Sequence, residues 1–553
     1  MVWAMPRGLM PSSSQCNVLM IYPRFSAETF WNFAAACELF NAKYPTTPLG
    51  LITVAALLPP KWNIRLVDRN TEALADGDLD WADMVMTGGM LPQYFDTIAI
   101  IDLCRARSKP VVVGGPGVTS VPALFSKANF QVLGEAEGII DKFIEAWDGG
   151  ARDGVFEAEK FTIDVTKTPV PRFDLLKVEN YLYVGVQFSR GCPFTCEFCD
   201  IIELYGRVPR AKTNAQMLHE LETLYRLGYR GHVDFVDDNL IGNKKAVKAF
   251  LPELKIWLEQ HDYPFEFTTE ASLNLADDGE LLRLLNAANF IGVFIGIESP
   301  DTDTLIAMRK KQNTRRDIVQ SVHKIYAAGL YVTAGFIVGF DSERGSIADA
   351  IVALIEDAAI PVAMVGLLYA LPNTQLTRRL ASEGRLHAEL LGDGIVGMDQ
   401  CTQGLNFDTL RPRGEILSDY KRVLEKVYEP AAYAKRLQRL SRLLGSSNPN
   451  RQKRANESRS KLGGLEVVHR VVSRLPGAQD IFRRAIVECA STNPQWARII
   501  VLLTALYLHL GPFSRHVIGQ IEQRLDELEN SPAQNSAANV GAPVEQPGAA
   551  ITA

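Results

Sequence analysis

The sequence predicts an α/β protein with two consecutive parallel sheets and a helical region at its carboxyl end. Short apolar runs end in glycine-rich or acidic turns, each run is followed by a helix-like segment, and this alternation stops near residue 400. The 553 residues are 47% hydrophobic and 22% charged, as in ordinary globular proteins. The formal net charge is −6, whereas nucleic-acid-binding proteins are typically basic, so we expect no nucleic-acid partner.

Residues 16–150 are predicted to form a doubly wound, Rossmann-like domain. Ligands of such sheets bind at the carboxyl ends of the strands. Asp68, Thr87, Gly114 and Gly115 lie at or directly after the ends of predicted strands and are therefore candidate binding residues. Residues 151–180, which contain two close prolines, are predicted to be a linker. The predicted strands are residues 17–22, 64–67, 84–87, 110–113 and 130–133, and residues 48–58 are a predicted helix.

Residues 181–395 contain a second series of alternating strands and helices. Six βα units in about 200 residues predict a partial (β/α)6, TIM-like barrel, whose active site gathers at the carboxyl ends of the strands. Helical segments such as Lys244–Gln260 fall between the strands. The predicted strands are residues 184–188, 232–236, 265–269, 291–297, 332–338 and 363–369.

The carboxyl end is predicted to be helical over residues 396–529 and disordered over residues 530–553, with a polar loop at residues 445–460. Residues 435–474 hold eleven Lys or Arg and two acids, which indicates either a solvated helical face or contact with anionic lipid. The apolar stretch at residues 499–510 is shorter than the about 20 residues that span a bilayer, so it lies in an interface or in a core.

We expect a cytoplasmic protein, because residues 1–15 do not resemble a signal peptide. Residues 435–510 contain the basic and the apolar segments. A second expectation is that they contact the inner face of the membrane peripherally.

Three of the eight cysteines lie within eight residues, directly after a predicted strand. Cys192, Cys196 and Cys199 have C-x3-C-x2-C spacing, which is typical of an iron–sulfur cluster. Three thiolates on a 4Fe–4S cluster leave one iron open, as a catalytic metal requires. A structural zinc site would need a fourth ligand, and no further His or Cys lies close by in the sequence.

This segment resembles the signature of the radical S-adenosylmethionine (SAM) superfamily. The resemblance implies that SAM fills the open iron site and that Phe198 lies near its adenine. It also implies that Asp237 or Asp238 binds the SAM amino group, although the usual Gly-Gly-Glu is absent. Glu270 and Glu298 follow later strands and are candidates for the ribose hydroxyls. Each acid, considered alone, is equally well explained as a surface ion-pair partner.

The amino-terminal domain resembles the cobalamin-binding domain of one large radical SAM subfamily. The usual fingerprint is Asp-x-His-x-x-Gly, and here Asn70 stands at the His position. An amide is a poor cobalt ligand, so cobalamin is expected to bind without a His ligand. Thr87 and the pair Gly114 and Gly115 match the turns that run past the nucleotide tail and the corrin ring of cobalamin. The alternative is a Rossmann-like domain that binds something else or only packs.

The whole arrangement resembles cobalamin-dependent radical SAM methylases, with most likeness to the subfamily that includes the hopanoid carbon-2 methylase. The resemblance implies methyl transfer to an unactivated carbon of a hydrophobic small molecule, such as a polycyclic terpenoid lipid. It also implies an electron donor such as flavodoxin or ferredoxin. Two alternatives remain open: rearrangement or oxidative cyclisation of a tetrapyrrole-like substrate, and a cobalamin-binding sensor without catalysis.

Overall fold

The computed structural model describes residues 15–26, 29–30, 32–387, 400–446 and 464–530. Within the predicted disordered tail, residues 531–553 lie outside this description, as do residues 447–460 of the predicted polar loop.

The first 157 residues contain alternating strands and helices. In chain order they are β1 Asn17–Tyr22, α1 Ala34–Leu39, β2 Tyr44–Thr46, α2 Leu49–Leu57, β3 Asn63–Asp68, α3 Asp76–Trp81, β4 Met84–Gly88, α4 Tyr94–Ala106, β5 Val111–Gly114, α5 Pro116–Ser120, β6 Phe130–Leu133, α6 Ile140–Asp148 and β7 Gly154–Glu157.

The first sheet is parallel and has the strand order β3-β1-β4-β5-β6-β7 among the described residues. The inner residues of β1 and all residues of β6 are buried because helices cover both sides of the sheet, which explains the largely apolar runs seen in the sequence. The doubly wound prediction is therefore confirmed. The edge strand β7 was not predicted; alternate residues of this short segment are exposed, so it carries little apolar signal.

The second series of elements runs from residue 181 to residue 382. In chain order they are β8 Tyr181–Val186, β9 Ser189–Arg190, α7 Ile201–Leu204, β10 Arg210–Ala211, α8 Asn214–Arg226, β11 Gly231–Phe235, α9 Lys244–Gln260, β12 Phe265–Ala271, α10 Gly279–Ala287, β13 Phe290–Glu298, α11 Thr302–Ala307, α12 Ile318–Ala327, β14 Tyr331–Val338, α13 Ala348–Ala358, β15 Ala363–Leu367 and α14 Gln375–Ser382.

These strands form the predicted partial barrel, in the order β15-β14-β13-β12-β11-β8-β2 among the described residues. Alternate residues of β12 face the helices and are buried, whereas Glu266, Thr268 and Glu270 face the barrel interior. The edge strand β2 was not predicted in this sheet. It pairs Tyr44 with Tyr181, so a three-residue segment of the amino-terminal region completes the barrel wall.

The carboxyl-terminal region is mainly helical, as predicted, from Arg413 onward over the residues that are described, whereas residues 400–412 form no helix. Its helices are α15 Arg413–Val427, α16 Pro430–Leu443, α17 Gly464–Ser473, α18 Gln479–Thr492 and α19 Ala497–Asn530.

The prediction of a short apolar stretch at residues 499–510 needs correction. This stretch belongs to the 34-residue helix α19, which continues through Pro512 to Asn530. The segment Pro494–Asn530 is long and apolar enough to cross a membrane by length and composition. Of its most apolar window, 61% is buried inside the protein, where α19 packs on α1, α15 and α18. A buried core helix accounts for that composition.

Part of the basic run at residues 435–474 lies in the protein core. Arg436 is fully buried, and its guanidinium donates to Glu356 Oε1 at 2.5 Å and to the carbonyl oxygens of Ile360 and Val427. Arg436 therefore fixes α16 on the barrel and takes no part in a solvated or lipid-facing surface.

Candidate active site

The cysteine loop begins at a tight two-stranded ribbon. Strand β9 pairs with β10 through Ser189 and Ala211 and through Arg190 and Arg210. Gly191 follows with φ +95°, and a Cβ there would lie 2.9 Å from the carbonyl oxygen of Gly206. Only glycine fits this close approach without strain. The ribbon thus presents Cys192 at the carboxyl end of the barrel.

The three thiols of the loop are unpaired and partly or fully shielded from solvent. Asn239 Nδ2 lies 3.8 Å from Cys192 Sγ, and Gln312 Nε2 lies 3.6 Å from Cys196 Sγ, so each amide can donate to a sulfur. Hydrogen bonds to sulfur are one means by which a protein tunes an iron–sulfur cluster. Among the described residues, no three His, Cys, Asp or Glu side chains are grouped to hold a single metal ion.

The donor set fits an iron–sulfur cluster. Burial raises the pKa of the Cys192 and Cys199 thiols, and nearby negative charge, from Asp200 on Cys199 and from the other thiolates on both, raises it further. Buried thiols without a disulfide partner are poorly placed to ionise alone, whereas bound iron would stabilise their thiolates. The predicted role of Cys192, Cys196 and Cys199 is consistent with this environment.

A buried ion pair lies directly beside the thiols. Lys310 Nζ is 2.6 Å from Glu298 Oε1 and 5.8 Å from the centre of the Phe198 ring. Burial alone would lower the pKa of Lys310, but Glu298 and the Cys196 thiolate outweigh this effect and raise it. Lys310 was not among the predicted site residues, because an isolated Lys pattern carries no local signal.

The end of β13 is bent by an unusual backbone conformation. Glu298 has φ +69°, a left-handed conformation that is uncommon for a residue with a side chain. Asn313 Nδ2 stabilises this bend by donating to the carbonyl oxygens of Gly296 and Ile297, each at 3.0 Å. Strained backbone of this kind concentrates at functional sites. Here it turns the Glu298 carboxylate toward Lys310.

The two acids after β11 hold the start of the cysteine loop. Asp237 accepts hydrogen bonds from the backbone amides of Phe188 and Ser189 and from the Ser189 hydroxyl, at 2.5–2.9 Å. Asp238 Oδ2 accepts from the Gly191 amide at 2.8 Å. Burial raises the pKa of Asp237 to about 7 and that of Asp238 to about 6. Through these hydrogen bonds, both side chains bind the backbone at the start of the cysteine loop.

Glu270 lies inside the barrel with an unused carboxylate oxygen. Its Oε2 atom is buried and has no hydrogen-bond partner in the described structure. Burial, and then the nearby charge of Asp234, raises its pKa well above the usual value. A buried carboxylate without a donor is costly, so such a group indicates a place for a ligand.

The carboxyl ends of β4 and β5 form a second polar edge. The Thr87 hydroxyl is buried without a hydrogen-bond partner. A Cβ on Gly88 would clash with the carbonyl oxygen of Gly114, and Gly115 has φ +88°. These glycines let the two strand ends approach closely. The unsatisfied Thr87 hydroxyl fits a ligand acceptor or donor at this edge.

Asn70 is held by its own domain. Its Oδ1 accepts from the Phe25 amide at 2.9 Å, and its Nδ2 donates to the Pro23 carbonyl oxygen and to Asp68 Oδ1. Asp68 also accepts from the Tyr181 hydroxyl at 2.8 Å, which joins the first sheet to the barrel. Asp68 and Asn70 therefore lie together at the strand ends, with both polar groups of the amide engaged.

An ion cluster joins the two polar edges. Arg190 lies 3.0 Å from Glu135 and 2.7 Å from Glu137, and Arg210 lies 2.8 Å from Glu135. Glu135 follows β6, and Arg190 directly precedes Gly191 and Cys192. The first sheet is thus attached to the cysteine loop itself. Sequence reasoning missed these residues, because the partners are more than 50 positions apart.

Comparison with known proteins places these features in context. The radical SAM superfamily matches residues 186–354, and a domain of unknown function (DUF4070) matches residues 374–523. The uncharacterized methyltransferase sll1242 of Synechocystis sp. is 46% identical over 78% of this chain and 79% of its own length. The hopanoid C-2 methylase of Rhodopseudomonas palustris is 34% identical over 81% of this chain and 84% of its own length.

The fold is also similar to that of a solved structure. The cobalamin-dependent SAM radical enzyme OxsB, solved with aqua-cobalamin and SAM bound, superposes with a TM-score of 0.58. The match covers 95% of this chain and 82% of OxsB at 13% sequence identity. It supports the order of a doubly wound domain followed by a partial barrel.

Proposed function

We propose that this chain methylates an unactivated carbon of a hydrophobic small molecule, because it belongs to the radical SAM methyltransferase family that includes the hopanoid C-2 methylase. A polycyclic terpenoid lipid is the substrate class that this relative favours. The observation that carries the proposal is the group of buried or half-buried thiols Cys192, Cys196 and Cys199 beside the Lys310–Glu298 pair.

The cysteine loop would hold the 4Fe–4S cluster and SAM. When bound, the cluster would supply the electron that cleaves SAM to a 5′-deoxyadenosyl radical, which removes hydrogen from the substrate. Phe198 would pack near the adenine, and the Lys310 ammonium would neutralise the SAM carboxylate. The roles of Glu270 and Glu298 at the ribose, and of Asp237 or Asp238 at the amino group, stay predictions.

The edge formed by Thr87, Gly114 and Gly115 would bind cobalamin, which supplies the methyl group when bound. The unpartnered Thr87 hydroxyl supports this assignment, since it can bond a polar group of the corrin or its tail. The Asn70 amide is engaged by its own backbone, which supports binding without a protein ligand to cobalt from this position.

Hydrogen abstraction by a radical needs no strong base at the substrate carbon. The residues of the chain are therefore assigned to binding, orientation and exclusion of water. Asp237 keeps the loop before Cys192 in place by three hydrogen bonds. The Arg190–Glu135 contact keeps the first domain over the loop.

We further propose a reducing, cytoplasmic setting with a flavodoxin or ferredoxin as electron donor. Peripheral membrane contact through residues 435–510 stays part of this proposal. It is supported by Val487, a large apolar side chain that is 55% exposed on α18, and by the neighbouring exposed Arg483 and Arg484.

The test is anaerobic reconstitution with iron, sulfide, cobalamin, SAM and a strong reductant. We expect 5′-deoxyadenosine and S-adenosylhomocysteine together, because one SAM is cleaved reductively and a second SAM gives up its methyl group. Cys196→Ala should reduce deoxyadenosine by at least about 100-fold, since an incomplete ligand set cannot retain the cluster.

The matched control is Cys104→Ala, which removes an equally buried thiol from α4 of the first domain. It should leave the cluster spectrum and both products intact. Deoxyadenosine without S-adenosylhomocysteine would indicate rearrangement or cyclisation and would contradict methylation. Loss of both products in Cys104→Ala as well would show a general folding defect.

A further inference from the structure

A basic segment lies next to the cysteine loop. Residues 308–316 contain five Lys or Arg and no acid, although the whole chain has a net charge of −6. The segment belongs to the connection between helices α11 and α12 and includes one short 3-10 turn, Lys311–Asn313. The five cations are Arg309, Lys310, Lys311, Arg315 and Arg316. Positive charge is therefore concentrated here, against the sign of the whole protein.

The inner side of this connection contacts the cysteine loop. Gln312 Nε2 lies 3.6 Å from Cys196 Sγ, and the carbonyl oxygen of Met308 accepts a hydrogen bond from the Glu197 amide at 3.0 Å. Gln312 is buried, whereas its neighbour Lys311 is exposed. A single step along the chain thus leads from the residue that contacts the Cys196 thiol to the protein surface.

The outer side of the connection presents cations to solvent. Arg309, Lys311 and Arg315 are exposed, and none of the three forms an ion pair with the residues that the structure describes. Arg309 Nη1 donates to the neutral side chain of Gln375 at 2.5 Å. Arg316 differs from these three, because it pairs with Asp277 at 2.8 Å. Three positive charges therefore remain available to a partner.

Two unusual backbone conformations border the contact with the thiol. Arg309 has φ +62° and Arg315 has φ +59°, and both values are uncommon for residues with a side chain. Lys310, Gln312 and Asn313 are buried between these two positions. Strained backbone of this kind concentrates at functional sites. It allows one short segment to direct polar groups inward and cations outward.

An exposed apolar side chain adjoins the cations. Ile306 on α11 is 59% exposed, and its carbonyl oxygen accepts from the Arg309 amide at 3.0 Å. Ile306, Arg309, Lys311 and Arg315 are called the basic surface below. Transient electron-transfer complexes use small interfaces of less than about 1,200 Å², and charges at their rims steer the encounter. An apolar residue beside three cations has the composition that such an interface requires.

The acids nearest in sequence leave these cations unpaired. Asp301 accepts from the Thr304 amide at 2.8 Å and Asp317 accepts from the Gln320 amide at 2.9 Å, so both cap the starts of helices. Asp303 is exposed in the first turn of α11. Within the described part of the chain, none of the three acids pairs with a cation of the basic surface.

We propose that the basic surface is the docking site of a small acidic electron carrier of the flavodoxin type, and that electrons enter the protein beside Cys196. The inference rests on the proposed function, because it names where the electron donor of that reaction binds. One electron leaves the reduced carrier and enters the bound cluster, so the carrier is oxidised by one electron and the cluster is reduced by one. Unpaired cations favour the encounter with an acidic carrier.

The first test compares two reductants on the reconstituted full-length holoprotein. Deoxyadenosine formation is measured with reduced flavodoxin and, separately, with dithionite, a small reductant that needs no docking site. The double variant Lys311→Glu with Arg315→Glu should lower the flavodoxin-driven rate by at least about tenfold at low salt, because like charges now meet. Its dithionite-driven rate should be unchanged.

The matched control reverses two exposed lysines away from this connection. Lys61 precedes β3 and Lys426 lies at the end of α15. The double variant Lys61→Glu with Lys426→Glu changes the net charge by the same amount and should leave both rates unchanged. An unaltered flavodoxin-driven rate in the Lys311 and Arg315 variant would overturn the proposal. An equal loss with both reductants would also overturn it, since the substitutions would then act on the cluster itself.

Cross-linking locates the partner without any turnover. A carbodiimide joins a lysine amine to a carboxylate that touches it, and Lys311 is the exposed lysine of the basic surface. We expect mass spectrometry to find a cross-link between Lys311 and flavodoxin on the holoprotein. Lys311→Arg should lose this cross-link and keep the flavodoxin-driven rate within about twofold, because the charge is retained. Cross-links confined to other lysines would reject the docking site.

The two measurements separate this inference from the proposed function. SAM cleavage with dithionite, combined with cross-links away from Lys311, would leave the enzyme proposal standing and reject the basic surface. A Lys311 cross-link without SAM cleavage by either reductant would support the basic surface and reject the enzyme proposal.

Discussion

At the level of single residues, the Lys310–Glu298 pair sets the charge beside the cysteine thiols. Both side chains are about 90% or more buried, and the bond between them is 2.6 Å long. Two desolvated charges offset each other only while both are present. Lys310 therefore balances Glu298 on one side and the thiolates of Cys196 and Cys199 on the other.

Lys310→Met should lower the free energy of unfolding by about 3 kcal/mol, because it leaves Glu298 as a buried, unpaired carboxylate. Adding Glu298→Gln should restore most of this loss, and urea denaturation of the four-member mutant cycle measures the coupling. Lys311→Met removes the exposed neighbouring charge and should change little. Equal destabilisation in the single and double variants would argue against the pairing.

At the level of elements, helix α14 supports the cysteine loop. The backbone amide of Leu376 donates to the Glu197 carbonyl oxygen at 2.9 Å. Arg379 Nε donates to the Glu197 carboxylate at 2.6 Å and its Nη1 donates to Asp341 at 2.9 Å. Glu197 lies between Cys196 and Cys199, so helix α14 stabilises the loop that would carry the cluster.

Arg379→Gln should speed the loss of iron to a chelator by about fivefold. The substitution breaks the partly exposed ion pair with Glu197, and the loss of that pair should destabilise the loop by about 1 kcal/mol. Release is followed by absorbance under anaerobic conditions. Arg378→Gln is the matched control, since its pair with Glu203 is 56% exposed on the arginine side. Similar release rates in the two variants would remove α14 from this role.

The Asp341 network predicts a pH dependence. Burial alone would raise the pKa of Asp341, but hydrogen bonds from Arg385 and Arg379 outweigh it and lower the pKa below its usual value. Its stabilising contribution is therefore complete above the unfolded pKa of about 3.9 and is lost as pH falls below that value. Asp341→Asn should be less stable at pH 7 and should lose less stability on acidification. Parallel profiles of stability against pH for both proteins would contradict this.

At the level of the whole molecule, the two sheets meet through buried charge. Arg190, Arg210, Glu135 and Glu137 form an ion cluster in which each side chain is at most 14% exposed. The cluster joins the end of β6 to the ribbon before Cys192. It therefore couples the proposed cobalamin edge to the proposed cluster site.

Arg190→Met should weaken cobalamin binding by about tenfold, because buried Glu137 loses its counter-charge, Glu135 keeps only Arg210, and the domains separate more easily. Arg190→Lys should weaken it less, since a point charge replaces the bidentate guanidinium. Titration with cobalamin measures both, and Arg172→Met, which breaks an exposed pair with Asp174, is the control. Unchanged affinity in Arg190→Met would show that the cluster has no part in domain coupling.

Much of the architecture follows from the sequence because its signals are local. The run Asn17–Tyr22, the run Phe130–Leu133 and the helix Lys244–Gln260 have the bounds predicted for them. Each depends on hydrophobic periodicity over a few turns or residues. The C-x3-C-x2-C motif is likewise contained within eight residues, so the family could be inferred before any fold was known.

Only the tertiary structure decided which distant groups meet. It placed Tyr44–Thr46 in the second sheet, paired Lys310 with Glu298, buried Arg436 beside Glu356, and attached Arg190 to Glu135. These contacts join residues up to about 140 positions apart, and each depends on the desolvation and charge of its final surroundings. Local periodicity contains no information on such surroundings. The sequence by itself therefore determined the fold class and the cysteine motif, whereas long-range packing decided the electrostatics around that motif.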